Sequence, residues 1–221
     1  MTKNRRLSLL IGFFLITAPL LIKSAGDYKK SGNTSPETSA GLLKVAGQNA
    51  IDNFVNAARA QIGETVSYDP TYRTLKYPNG DVPIESGVCT DVVIRALRSS
   101  LNLDLQKLVH EDMQAHFSQY PRHWGLTRTD KNIDHRRVLN LQTYFKRKGY
   151  ELPLSSKPED FKAGDLVTAI IPPHLPHIMI VSDKTAPITQ RPLVIHNIGR
   201  GTREEDRLFE FKMTGHYRIA L

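Results

Sequence analysis

The chain of 221 residues predicts an α+β domain. Residues 49–149 carry apolar side chains at helical spacing, whereas residues 165–220 carry runs with a period of two. The connections between those runs are short, as between antiparallel strands. Helices first and strands afterwards place the helices on one face of an antiparallel sheet.

The elements follow in order. Met1–Arg6 holds Lys3, Arg5 and Arg6, and Leu7–Ile22 is apolar except for Ser8 and Thr17. Small residues follow around Ala25. This is the pattern of a cleaved export signal over 1–25, with an uncleaved N-terminal anchor as the alternative, because the run falls short of the ~20 residues of a comfortable span. Residues 26–47 are rich in Gly, Ser, Thr, Asn and Lys and read as a flexible linker. The domain is then 48–221. A first helix is expected over Asn49–Ile62, with Ile51, Phe54, Val55, Ala58 and Ile62 as its stripe and Gly63 as its stop. Turn residues fill Thr65–Ser86. A second helix starts at Cys89, a third is capped by Asp104, and a fourth opens at Asp134 and closes at Gly149. Strands are expected at Asp165–Ile171, Ile178–Ser182, Leu193–Ile198, Leu208–Met213 and Tyr217–Ala220.

The net charge of +8 falls to +4 when Lys3, Arg5, Arg6 and Lys23 leave with the signal. A mildly basic chain without a dense Lys/Arg run or a zinc-finger pattern argues against nucleic acid as partner. Oligomeric state has no signature in the sequence.

Cys89 is the sole cysteine. Val92, Val93, Ala96 and Leu97 share its helical face, so the sulfur points inward from a helix N-terminus. Such a terminus favours the thiolate. A lone thiol in an exported chain is either buried filler or in use. A nucleophilic thiol needs a base, and the base needs an orienting group. His177 begins one expected strand and His196 lies late in the next. A hairpin centred between residues 187 and 188 puts the two histidines opposite or diagonal on one face. A shift of one residue would hand the orienting role to Asn197. His174 with His177 and His196 would be the elements of a zinc site, although Pro172, Pro173 and Pro176 forbid the helix on which the usual pair is built. No metal and no cofactor is expected. His110, His116 and His123 read as surface or cap residues.

Cysteine on a helix, histidine on the adjoining strand and a polar residue on the next resemble the papain-like fold in its bacterial cell-wall (NlpC-like) form. Those enzymes typically show Asp-Cys-Ser-Gly where this chain has Gly87-Val88-Cys89-Thr90-Asp91. A closer resemblance spans most of 66–221. Tyr68-Asp69-Pro70, Gly80-Asp81-Val82-Pro83, Gly87–Asp91, Asn132–Val138, Pro176-His177-Ile178, His196–Gly199 and Thr214–Arg218 look like an exported bacterial family carrying the domain of unknown function numbered 1287. The resemblance implies a cysteine peptidase or amidase acting on peptidoglycan stem peptides outside the cytoplasm, in the periplasm or beyond it. Cys89 would attack, His177 would move the proton, and His196 or Asn197 would hold the imidazole. Tyr68, Asp91, His135, Arg136 and Arg200 form the expected substrate-binding set. Within it, Arg136 offers a carboxylate a bidentate fork; the alternative for 134–137 is a helix cap with a solvated basic turn, and for 199–202 a simple turn. The rival function is a non-catalytic wall-binding module on the same fold, and a zinc hydrolase is the third reading.

Overall fold

The computed structural model describes residues 36–220, with side chains from residue 46 onward. The expected signal over 1–25 and the first part of the linker lie outside the described residues. Helix α1 spans Pro36–Arg59. The linker expected over 26–47 is therefore helical from Pro36: proline suits a first helical turn, and Ala, Leu, Lys and Glu in 37–46 are strong helix formers. No helix among the described residues is long and apolar enough to cross a membrane.

A two-residue parallel pair follows, β1 (Ser67–Tyr68) with β2 (Ser86–Gly87). Then come α2 (Cys89–Leu101), α3 (Leu105–His116), α4 (Val138–Arg147) and strands β3 (Glu151–Leu152), β4 (Leu166–Ile171), β5 (Leu175–Thr185), β6 (Pro192–Asn197), β7 (Thr202–Glu205) and β8 (Lys212–Tyr217). β3 to β8 form one antiparallel sheet in the order β3-β8-β4-β5-β6-β7.

Alternation along the strands splits the core in two. Ile178, Ile180, Ile195 and Leu166 face the helices and meet Phe54, Val93, Leu97 and Phe145. Each such fully buried side chain contributes on the order of 2 kcal/mol. Met179, Val181 and Val194 face the other way and are covered by Phe161 and Leu208. The strand expected over Leu208–Met213 is thus mostly a turn: Leu208 roofs the second core, and β8 begins only at Lys212. β8 ends at Tyr217, so of the strand expected over Tyr217–Ala220 only the first residue is extended in the sheet. Asp134 does not open a long helix either. It begins a 3-10 turn through Arg136, and extended Arg137 (φ −102°, ψ 117°) interrupts before α4.

Candidate active site

The loop ahead of Cys89 is held by one arginine. Arg95 on α2 is buried and donates to Asp81, to Thr65 Oγ1, and to the carbonyls of Val82, Pro83 and Ser86. Asp91 closes the N-terminus of α2 by accepting the Val88 N–H at 2.7 Å, the role expected of an acid in a first helical turn. Cys89 is thereby fixed at the first turn of α2, only 3% exposed. Backbone N–H groups around its sulfur, first that of Ile178 and then those of Thr90 and Cys89 itself, favour the thiolate.

β5 and β6 pair Ile180 with Ile195 and Val181 with Val194, the hairpin register centred between 187 and 188. His177 and His196 are diagonal neighbours on the face shared with Met179 and Val194. His177 Nε2 lies 2.8 Å from His196 Nδ1, and both rings are buried. His196 Nε2 lies 3.3 Å from Glu205 Oε2 on β7. Glu205 is held in turn by Arg207 at 3.1 Å. Sequence reasoning missed Glu205 because 199–205 reads as a turn with charges; the register of β6 on β7, with His196 opposite Arg203, was the geometric route to it.

These contacts decide the tautomers. A carboxylate only accepts, so His196 carries its proton on Nε2. His196 Nδ1 is then a lone pair, and His177 donates to it from Nε2. The remaining nitrogen of His177, Nδ1, is left basic and makes no hydrogen bond among the described residues. Burial pushes His177 down to about 3, with the charges of His196 and Arg207 acting in the same direction. Burial also lowers His196, against the opposing pull of Glu205. Both imidazoles are therefore neutral near pH 7.

The thiol reverses an expectation. Burial pushes Cys89 up to about 12, although the Ile178 N–H opposes the rise. Desolvation outweighs the helix terminus, and the resting sulfur is a thiol. No hydrogen bond joins it to His177 among the described residues.

The other expected residues are dispersed. Asn197 points to the opposite face from His196. It donates to Ser67 O (3.1 Å) and Gly87 O (3.0 Å) and accepts from Gly199 N–H, so it pins β1 and β2 and does not touch His177. Tyr68 and Arg136 line a cleft of about 360 Å³ together with Cys89, Trp124, Arg137 and Leu175. Burial raises the Tyr68 phenol well above its ordinary value, and Cys89 and Asp91 add to the rise. Arg136 has no free donor pair to offer: Nε and Nη2 grip Asp91 at 2.9 Å each, and Nη1 and Nη2 reach the carbonyls of Thr71 and Asp69. Asp91 and Arg136 are thus a buried ion pair, with Arg136 in the lining of the cleft. His135 is buried away from the cleft lining, and burial lowers it to about 4. Arg200 is exposed and lines a separate groove with Ile62, Val66 and Glu205.

His174 is exposed between β4 and β5 and forms no hydrogen bond with the two site histidines. Among the described residues no three His, Cys, Asp or Glu side chains converge as a metal site. His110 is buried rather than superficial, edge-on to Tyr77, whereas His116 and His123 lie at or near the surface.

An uncharacterized Escherichia coli K12 protein, YijF, is 57% identical over 165 residues, covering 75% of this chain and 80% of that one. Residues 55–219 match the model of a domain of unknown function, DUF1287, and the match takes in the Cys89 loop, the His177–His196 hairpin and Glu205 alike. By that match the chain belongs to the DUF1287 family.

Proposed function

We propose that the chain is a cysteine hydrolase of papain-like, NlpC-like arrangement that cleaves amide bonds of peptidoglycan stem peptides outside the cytoplasm. The observation that carries this reading is the ordered chain Glu205–His196–His177. It leaves His177 Nδ1 as a lone pair, on the residue beside Ile178, whose N–H favours the Cys89 thiolate. A relay that sets the tautomer of a buried imidazole is what a thiol base requires.

In the reaction, Sγ gives its proton to His177 Nδ1 as it attacks the carbonyl carbon. The oxygen becomes negative and meets the N–H of Cys89 at the start of α2. His177 is now imidazolium, offset by Glu205 through His196. It protonates the leaving amine, the C–N bond breaks, and a thioester remains on Cys89. Water, deprotonated by His177, releases the acid and restores the thiol. Export is supported by the basic, apolar and small-residue order of the first 25 residues.

One observation favours the rival module without catalysis: the resting thiol is neutral and has no hydrogen bond with His177. Digestion of purified peptidoglycan, with mass analysis of the fragments, separates the two. Wild type is expected to release peptides and Cys89→Ser and His177→Ala to release none above background. Equal fragment yields from wild type and Cys89→Ser, with retained binding to the wall, would establish the module.

A further inference from the structure

The Cys89 cleft has two arginines in its lining and no carboxylate side chain. Arg136 is consumed by Asp91 and two carbonyls. Arg137 is less fully engaged: it is ion-paired with Asp134 and donates no hydrogen bond among the described residues. The pairing runs through Nη1, buried 3.5 Å from Asp134 Oδ1 and without a hydrogen bond, while the edge made by Nε and Nη2 meets no acceptor among the described residues. Its plane lies 4.1 Å from the centre of the Trp124 ring, which fixes its position without using its donors.

Arg137 also stands at the N-cap of α4, where no side chain caps the helix. The N–H groups of Val138 and Leu139 find no acceptor among the described residues, and both residues line the same cleft. An uncapped helix terminus beside an arginine edge that has no acceptor attracts an anion from two directions. The size and planarity of the fork select a carboxylate.

We infer that Arg137, laid on Trp124 at the start of α4, is the carboxylate-recognising residue of this cleft, and that the ligand carries a free carboxylate next to the amide presented to Cys89. The second half rests on the hydrolase reading; the first half stands without it.

Trp124 is the only tryptophan in the chain, so its fluorescence reports on this spot alone. The probes are N-acetyl-L-alanyl-D-glutamate and its diamide, titrated into the full chain carrying Cys89→Ala so that nothing is turned over. The acid is expected to shift the emission saturably and to bind roughly tenfold or more tightly than the diamide, the effect of one charge-assisted pair. Arg137→Gln should bring the acid down to the level of the diamide, and Arg137→Lys should keep part of the preference. Equal affinity for acid and diamide, no saturable change, or an Arg137→Gln chain that still prefers the acid would each overturn the assignment. If Arg137→Gln fails to fold, the comparison of acid with diamide in the parent and in Arg137→Lys decides. Acid binding without hydrolysis by the wild type would leave this site standing and remove the catalytic reading. Hydrolysis at equal rates on acid and diamide would do the reverse.

Discussion

At the scale of single residues, the site depends on proton placement as much as on distance. Glu205 touches neither cleft nor sulfur, yet it determines which nitrogen of His177 is bare, two hydrogen bonds away. That makes it a positioning residue. Replacing it with alanine removes the acceptor that holds the His196 proton on Nε2, and the pair becomes free to adopt the opposite tautomers. Glu205→Ala is expected to lower kcat on peptidoglycan peptides about 10- to 100-fold, the usual effect of an orienting partner. Glu205→Gln should recover much of it, because its amide oxygen can still accept. The readout a merely structural role would not move is the ¹⁵N spectrum of the imidazoles. Wild type should show His177 protonated at Nε2, and Glu205→Ala a mixture. Unchanged tautomers in Glu205→Ala would remove the relay from the mechanism. Neither the acid nor its effect was legible from local sequence, because Glu205 lies nine residues beyond His196 across a turn.

At the scale of elements, what could be read depended on whether a local period carried the information. The helix-forming stripe through Phe54, Val55 and Ala58, the inward Cys89 and the β5–β6 register all follow from spacing. β7 did not, because an edge strand made of Thr-Arg-Glu-Glu has no apolar alternation to show. It is placed instead by the preceding turn. Gly201 (φ +82°) lies so close to Thr65 that a Cβ there would come within 2.3 Å of the Thr65 carbonyl oxygen, and Thr202 donates to that same oxygen. Asn197 stayed open as the alternative to His196 for a related reason: an amide on a strand offers the same donors to either face, and only the register shows that it serves β1 and β2. Asn197→Ala would leave the Ser67 and Gly87 carbonyls without its donors, the latter in buried surroundings. A loss of about 1–3 kcal/mol in urea unfolding is expected. A change below about 0.5 kcal/mol, the level of an ordinary surface substitution, would show that Asn197 does not hold the ribbon.

At the scale of the whole molecule, the fold buries more basic groups than it can charge. His177 and His135 are held by burial to about 3 and about 4, and His196 is lowered for the same reason. In the unfolded chain each returns to about 6.5. Below that value the unfolded chain takes up protons that the folded one refuses. Their contribution to stability is therefore complete above pH 6.5 and is lost as the pH falls toward the folded values. Asp134 opposes them: burial raises it to about 6, so between about 4 and 6 the folded state keeps a proton that the unfolded chain releases, and its contribution is lost as the pH rises. These three histidines, joined by His110, which burial also lowers, outweigh the one acid and leave a net fall in stability on acidification. The window from pH 7 to pH 5 isolates these groups, because Asp112 and Glu204 are held low by their cationic partners and stay charged throughout it. His177, His135 and His196 each contribute roughly 2 kcal/mol across the window, at about 1.4 kcal/mol per pH unit below 6.5. His135 is the one to remove, since it lies outside the lining of the cleft and its loss leaves the relay intact. Urea unfolding of wild type should show stability dropping from pH 7 to pH 5, and His135→Gln, which takes up no proton in either state, should show a drop shallower by about 2 kcal/mol. Parallel curves for the two proteins would mean that His135 is protonated within the fold, and that the acid sensitivity of the molecule comes from elsewhere.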